Sequence, residues 1–235
     1  MKKRILAAVV VCAFGLGSAN ASILKVDNFD YPDGSLVGNG GWTNHSGTPG
    51  DMLVSSGEVV VQHGTPSEDA NVVFAGSSGN VYYGIDFRVN ASAPIPGTDN
   101  EYFAHFRVDG TFAFPARLDV VPPTAGGDFS VGISTRLGTA DATWATDLTF
   151  GTTYRAVVRY DQDANIAELW IDAVLETDTS ILGFDEADPG DAVDSFALRQ
   201  SDSNLNETVY VDNLCVGTTF ADVVNPCEPV SVESK

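Results

Sequence analysis

The sequence predicts an all-β protein folded as one large antiparallel sandwich. Three observations carry this. Short segments of alternating apolar and polar residues recur from Gly50 onward, no segment sustains a helical period beyond a turn or two, and the 23 Gly and 11 Pro are scattered with no linker-like block. Strands are expected near 52–54, 58–62, 71–75, 81–89, 102–108, 112–121, 128–136, 146–149, 153–160, 166–172, 194–200 and 208–217. Turn-forming clusters such as Gly76-Ser77-Ser78-Gly79 and Pro94-Ile95-Pro96-Gly97 bound them.

Ahead of the strands lies an export segment. Met1-Lys2-Lys3-Arg4 is a basic start, Ile5 to Gly17 an apolar stretch, and Ala19-Asn20-Ala21 a small-x-small cleavage site, so residues 1–21 read as a signal peptide cut before Ser22. The apolar stretch is too short to span a bilayer, and no membrane insertion is expected after cleavage. The expected division is signal 1–21, a single domain 22–223 and a short tail 224–235. Cleavage removes Cys12 and leaves Cys215 and Cys227, which in an oxidising compartment pair as one disulfide.

Charge narrows the function further. The chain has 12 Lys and Arg against 32 Asp and Glu, a net charge of -20 and a pI near 4.1. Such an acidic protein repels phosphate backbones, which excludes nucleic acid as a default partner. Yet 43% of residues are hydrophobic and only 19% charged, enough apolar material for a real core.

Alternation assigns faces to the strands. Tyr83, Ile85, Phe87 and Val89 oppose Tyr82, Gly84, Asp86 and Arg88. Phe112, Phe114, Ala116, Leu118 and Val120 oppose Arg117 and Asp119. In 102–108 the pattern puts Tyr102, Ala104 and Phe106 inside, with Phe103, His105 and Arg107 outside. Leu169 and Ile171 oppose Glu168, Trp170 and Asp172. The polar side therefore collects Arg88, Arg107, Arg117, Arg136, Arg155 and Arg159. Two readings compete: cross-strand pairing with Asp86, Asp119, Glu168 or Asp172 on a solvated face, or a groove. In the groove, Arg88, His105, Arg107, Arg117 and an exposed Trp170 grip hydroxyls, carboxylates or sulfates of a polysaccharide.

Several strings resemble a known family. Asp27-Asn28-Phe29-Asp30-Tyr31-Pro32-Asp33-Gly34-Ser35-Leu36 followed by Gly40-Gly41-Trp42, Tyr102-Phe103-Ala104-His105-Phe106, Leu169-Trp170-Ile171-Asp172, Phe196-Ala197-Leu198-Arg199-Gln200 and Val211-Asp212-Asn213-Leu214 are similar to the laminin-G-like, concanavalin-A-like jelly-roll modules of secreted bacterial proteins. The resemblance implies a two-sheet jelly roll, whose members range from glycan-binding and adhesion modules to glycanases and lyases. It also implies that the first and last strands lie side by side. Asp27 or Asp30 could then approach Asp212 around a structural calcium ion, the one cofactor suggested; the competing reading has these side chains capping turn amides. The chain ends without the sorting helix and basic cluster of many such proteins, so a secreted or periplasmic protein is expected.

Catalytic constellations are weak. The nearest match to the paired carboxylates of retaining glucanases is Glu168, Asp172 and Glu176, whose four-residue gaps are roughly 13 Å along a strand. A lyase needs a Tyr or His base with an Arg or Gln neutraliser, roles that Gln62-His63 or His105 with Arg117 could fill. No histidine has a partner at metal-ligand spacing. The resulting expectation is a secreted, non-catalytic β-sandwich that binds a carbohydrate or another extracellular polymer. The alternatives are a polysaccharide lyase or glycoside hydrolase acting on an anionic glycan, and a structural surface or matrix component.

Overall fold

A computed structural model describes residues 22–64, 67–97, 100–136, 138–184, 189–201 and 207–227. The signal peptide and most of the tail lie outside the described residues. The rest forms two antiparallel sheets packed face to face, as the alternation requires.

The nine-stranded sheet runs in the order Ile181–Gly183, Ile166–Ile171, Thr153–Asp161, Asn80–Asn90, Thr208–Gly217, Glu58–Gln62, Leu53–Ser55 and Gly34–Ser35. Its ninth strand, Ile23–Asp27, pairs with the second half of Thr208–Gly217, from Leu214 to Gly217. The first half of that long strand pairs with Val59 to Gln62. The seven-stranded sheet runs Ala142–Thr143, Ser130–Ser134, Arg117–Val121, Glu101–Arg107, Ser195–Arg199, Asp69–Val73 and Thr43–Ser46.

The two inner faces share one core, which includes Phe29, Trp42, Tyr83, Phe87, Phe103, Phe106, Phe129 and Phe196. Inward β-branched and aromatic residues at every second position fill it, which is why these segments settle as strands. A second, smaller cluster sits on the outer face of the nine-stranded sheet. There the short helix Phe220–Val223 packs over Tyr82, Val157 and Trp170, and the Cys215–Cys227 disulfide ties it down.

Three expectations about the strands are corrected. Residues 112–116 form a loop rather than the start of a strand. Pro115 has no N–H to give a ladder, and Ala116 takes a left-handed φ of 56° that bends the chain into Arg117–Val121. The segment 146–149 contributes only an isolated bridge between Phe129 and Leu148. In Glu101–Arg107 a β-bulge breaks the alternation: Tyr102 pairs with Asp119 and Ala104 with Leu118, so two residues oppose one. Phe103 and Ala104 both enter the core, and Tyr102 turns outward.

Candidate functional site

The outer face of the seven-stranded sheet gathers polar side chains from five neighbouring strands. Parity places Arg117 and Asp119 there, and the bulge adds Tyr102 to His105 and Arg107. Arg199 comes from Ser195–Arg199, Asp69 and Asn71 from Asp69–Val73, and His45 from the edge strand Thr43–Ser46. Ala197 stands between His105 and Asn71 in the ladder, and its small side chain lets the rings of His45 and His105 meet at 6.4 Å.

At the centre is Tyr102. The guanidinium carbons of Arg117 and Arg199 stand 4.6 and 4.2 Å from its ring centroid, within cation–π range. Arg199 also pairs with Glu101 at 2.8 Å, and Arg117 Nε donates to the Phe114 carbonyl at 2.9 Å. His105 lies edge-on to Tyr102 at 5.5 Å; its Nδ1 donates to the Phe106 carbonyl at 2.8 Å. Burial holds the His105 pKa well below the ordinary imidazole value and pushes the Tyr102 hydroxyl upward. Asp119 is fully buried beside them, accepts from Asn100 Nδ2 at 2.7 Å, and is pushed well above the carboxylate range by desolvation.

The loop from Asp109 to Phe114 folds over one side of this face. Phe114 packs 5.0 Å from His105 and 5.9 Å from His45, whereas Phe112 at the loop tip is 92% exposed. Arg107, only 6% exposed, holds Asp109 at 2.5 Å. His45 is pushed down to about 4, mainly by burial and then by the nearby Arg107 charge.

The structure divides the expected groove residues between two surfaces. His105, Arg107 and Arg117 share the face just described. Arg88 and Trp170 belong to strands of the other sheet, so their outward sides point the opposite way. Arg88 pairs with Glu58 at 2.6 Å and covers the Tyr210 ring at 4.0 Å. Trp170 is 1% exposed: the helix Phe220–Val223 covers its face, and its indole N–H donates to the Glu176 carbonyl. It is a packed residue, not a sugar platform. The remaining arginines follow the pairing account, with Arg155 on Asp86, Arg159 on Glu168 and Arg136 on Asp191.

Of the carboxylates named for calcium, Asp27 is engaged elsewhere. Strand pairing does bring the first and last strands together, Asp27 lying opposite Leu214. But Asp27 Oδ1 accepts from the Phe29 N–H, and Oδ2 accepts from the Tyr31 hydroxyl and the Trp42 indole N–H. It acts as the turn cap of the competing reading. Asp212 instead sits at a bulge beside Asn213 and faces Asp86 and Glu58 across a shallow pocket, and Asp30 is exposed. Among the described residues no group of three His, Cys, Asp or Glu side chains could hold a metal ion. Asp27 therefore leaves the set expected to hold calcium.

No family model and no curated protein matches the chain. Solved structures do. An alginate lyase in complex with an alginate tetrasaccharide is 15% identical, with 83% of this chain and 96% of that one covered and a TM-score of 0.52. Peanut lectin bound to a nine-residue peptide is 14% identical over 86% and 98% of the two chains, with a TM-score of 0.54. A basic winged bean lectin with Tn-antigen is 12% identical over 84% and 97%, with a TM-score of 0.50. At such identities the likeness is one of fold, and the fold is a concanavalin-A-like jelly roll.

Proposed function

We propose that the protein is a secreted, non-catalytic glycan-binding jelly roll that takes an anionic polysaccharide across the outer face of its seven-stranded sheet. One observation carries the reading: in a chain of net charge -20, Arg107, Arg117, Arg199, two of the three histidines and Tyr102 converge on a single patch. Guanidinium groups held against aromatic rings are pre-oriented and lose little freedom on binding a carboxylate or sulfate. The glycan-related neighbours of the same fold, and the disulfide expected of an exported protein, support the same reading.

A lyase is the second reading, because His105, Tyr102 and Arg117 bring base and neutraliser types into one patch. Two facts weigh against it. His105 is 1% exposed with Nδ1 tied to its own strand, and burial raises the Tyr102 pKa where a tyrosine base needs it lowered.

The test is retardation of the mature chain in native gels carrying alginate, a sulfated galactan, a mannan or a β-glucan, run beside an assay for unsaturated uronates. Retardation by an anionic polymer that weakens with salt, with no unsaturated product, is the expected result. Product formation would move the assignment to a lyase, and no retardation by any polymer would overturn the glycan reading.

A further inference from the structure

Beside the arginine and tyrosine patch, a cavity of about 270 Å³ opens under the Asp109–Phe114 loop, lined by His45, Ser46, Asp69, Arg107 and residues 110–112 with Phe114. This is just below the roughly 300–1,000 Å³ typical of drug-sized ligand pockets, which suits one ring rather than a length of chain.

Its walls are short of partners. The Arg107 side chain is 7% exposed, yet its one hydrogen bond among the described residues goes from Nη1 to Asp109, and Nε is buried without a partner. His45 donates through Nδ1 to the Asn71 side-chain oxygen at 3.1 Å, which leaves Nε2 as a buried acceptor with nothing to accept. Asp69 Oδ1 is likewise buried and unpaired. Buried polar atoms are seldom left without partners, and three in residues that line one cavity mark its wall as polar and sparsely hydrogen-bonded.

Donors and acceptors define the class of that ligand. The cavity offers a guanidinium donor, a carboxylate acceptor and a neutral imidazole acceptor. A ligand carboxylate only accepts, so it would oppose Asp69 and the His45 lone pair. A sugar hydroxyl both donates and accepts and so suits all three side-chain types. Phe112, exposed at the rim beside Phe114, offers a ring face to the C–H side of a pyranose.

We propose that this cavity is a subsite for a single uncharged, hydroxyl-bearing sugar ring, placed next to the arginine patch around Tyr102. The subsite rests on the glycan-binding reading above and sharpens it: the preferred polymer carries neutral units beside its anionic ones.

The same affinity gels test it, with Phe112→Ala, Phe112→Tyr and Arg107→Lys compared with wild type on every polysaccharide that retards wild type. Phe112→Ala is expected to weaken binding about five- to tenfold, the loss of one stacked ring. That loss is the same at low and high salt, and Phe112→Tyr restores most of it. Since Phe112 is 92% exposed, the fold should survive either change. Arg107→Lys, which keeps the charge and loses the fork, should weaken binding to neutral-unit polymers as well. Wild-type retardation that Phe112→Ala leaves unchanged would overturn the subsite while the glycan reading stands. Failure of wild type on every polymer overturns both.

Discussion

The rings of Tyr102 and His105 meet edge to face at 5.5 Å although three positions separate them in one strand. On a regular strand an odd separation puts two side chains on opposite faces. The extra residue of the bulge at Phe103 cancels that rule, buries Phe103 and delivers Tyr102 to the arginines. Replacing Tyr102 by Ala therefore removes the ring on which both Arg117 and Arg199 stack. The expected outcome is weaker binding of anionic polysaccharide and a stability loss of about 1–2 kcal/mol for two partly exposed cation–π contacts, read from urea unfolding.

A second expectation concerns Arg155. It reaches Asp86 at 3.0 Å through Nη1, and Nη1 and Nη2 also hold the carbonyls of Asn213, Val223 and Asn225. Arg155→Ala leaves Asp86 Oδ1 and those carbonyls without this donor, so a loss of roughly 3 kcal/mol is expected. Hydrogen exchange should quicken first across 219–227, where the helix loses its anchor. Uniform protection there, with unchanged stability, would show that the guanidinium is dispensable.

Trp170 offers an optical test of the same region. Reduction of Cys215–Cys227 should cost about 3 kcal/mol in the chain-entropy account. It should also shift part of the tryptophan emission to the red as the helix lifts off the indole. Trp170→Ala should destabilise by about 3–5 kcal/mol as a buried large-to-small change, with no selective effect on glycan affinity.

The pH dependence can be worked out at Asp212. Burial, followed by the charges of Asp86, Glu58 and Asp30, pushes its carboxyl up to about 6. A group that binds its proton more tightly when folded stabilises the native state below its unfolded pKa, and that support is lost as the pH rises through about 6. Asp212→Asn should thus be more stable than wild type at pH 7.5, by about 1 kcal/mol once solvent screening at this half-buried site is allowed for. The difference should vanish near pH 4, and a constant offset across the range would contradict the assignment.

Some of this was legible in the residues and some was not. Glu58–Gln62 and Thr208–Gly217 lie where their valines put them, because β-branched residues mark a strand whatever its partner. The disulfide was legible too, from two cysteines in an exported chain. Tyr102 was misplaced because a bulge is defined by the facing strand, which no local window contains. His45 went unseen as a site residue because Thr43–Ser46 carries no apolar residue to announce a strand. Arg199 lies in an expected strand but was not assigned to the polar face, and only the fold shows it beside Tyr102. Trp170 reads as exposed by parity alone. A helix fifty residues later, folded onto the outer face of the sheet, buries it.

That clasp also gives the molecule a front and a back. Phe220–Val223 and the chain leaving through Cys227 lie on the outer side of the nine-stranded sheet, whereas the arginine face and the cavity under Phe112 lie on the outer side of the other sheet. A bead, surface or fused protein joined beyond Cys227 would thus hold the sandwich from behind, with the Arg117 and Arg199 face turned toward the medium.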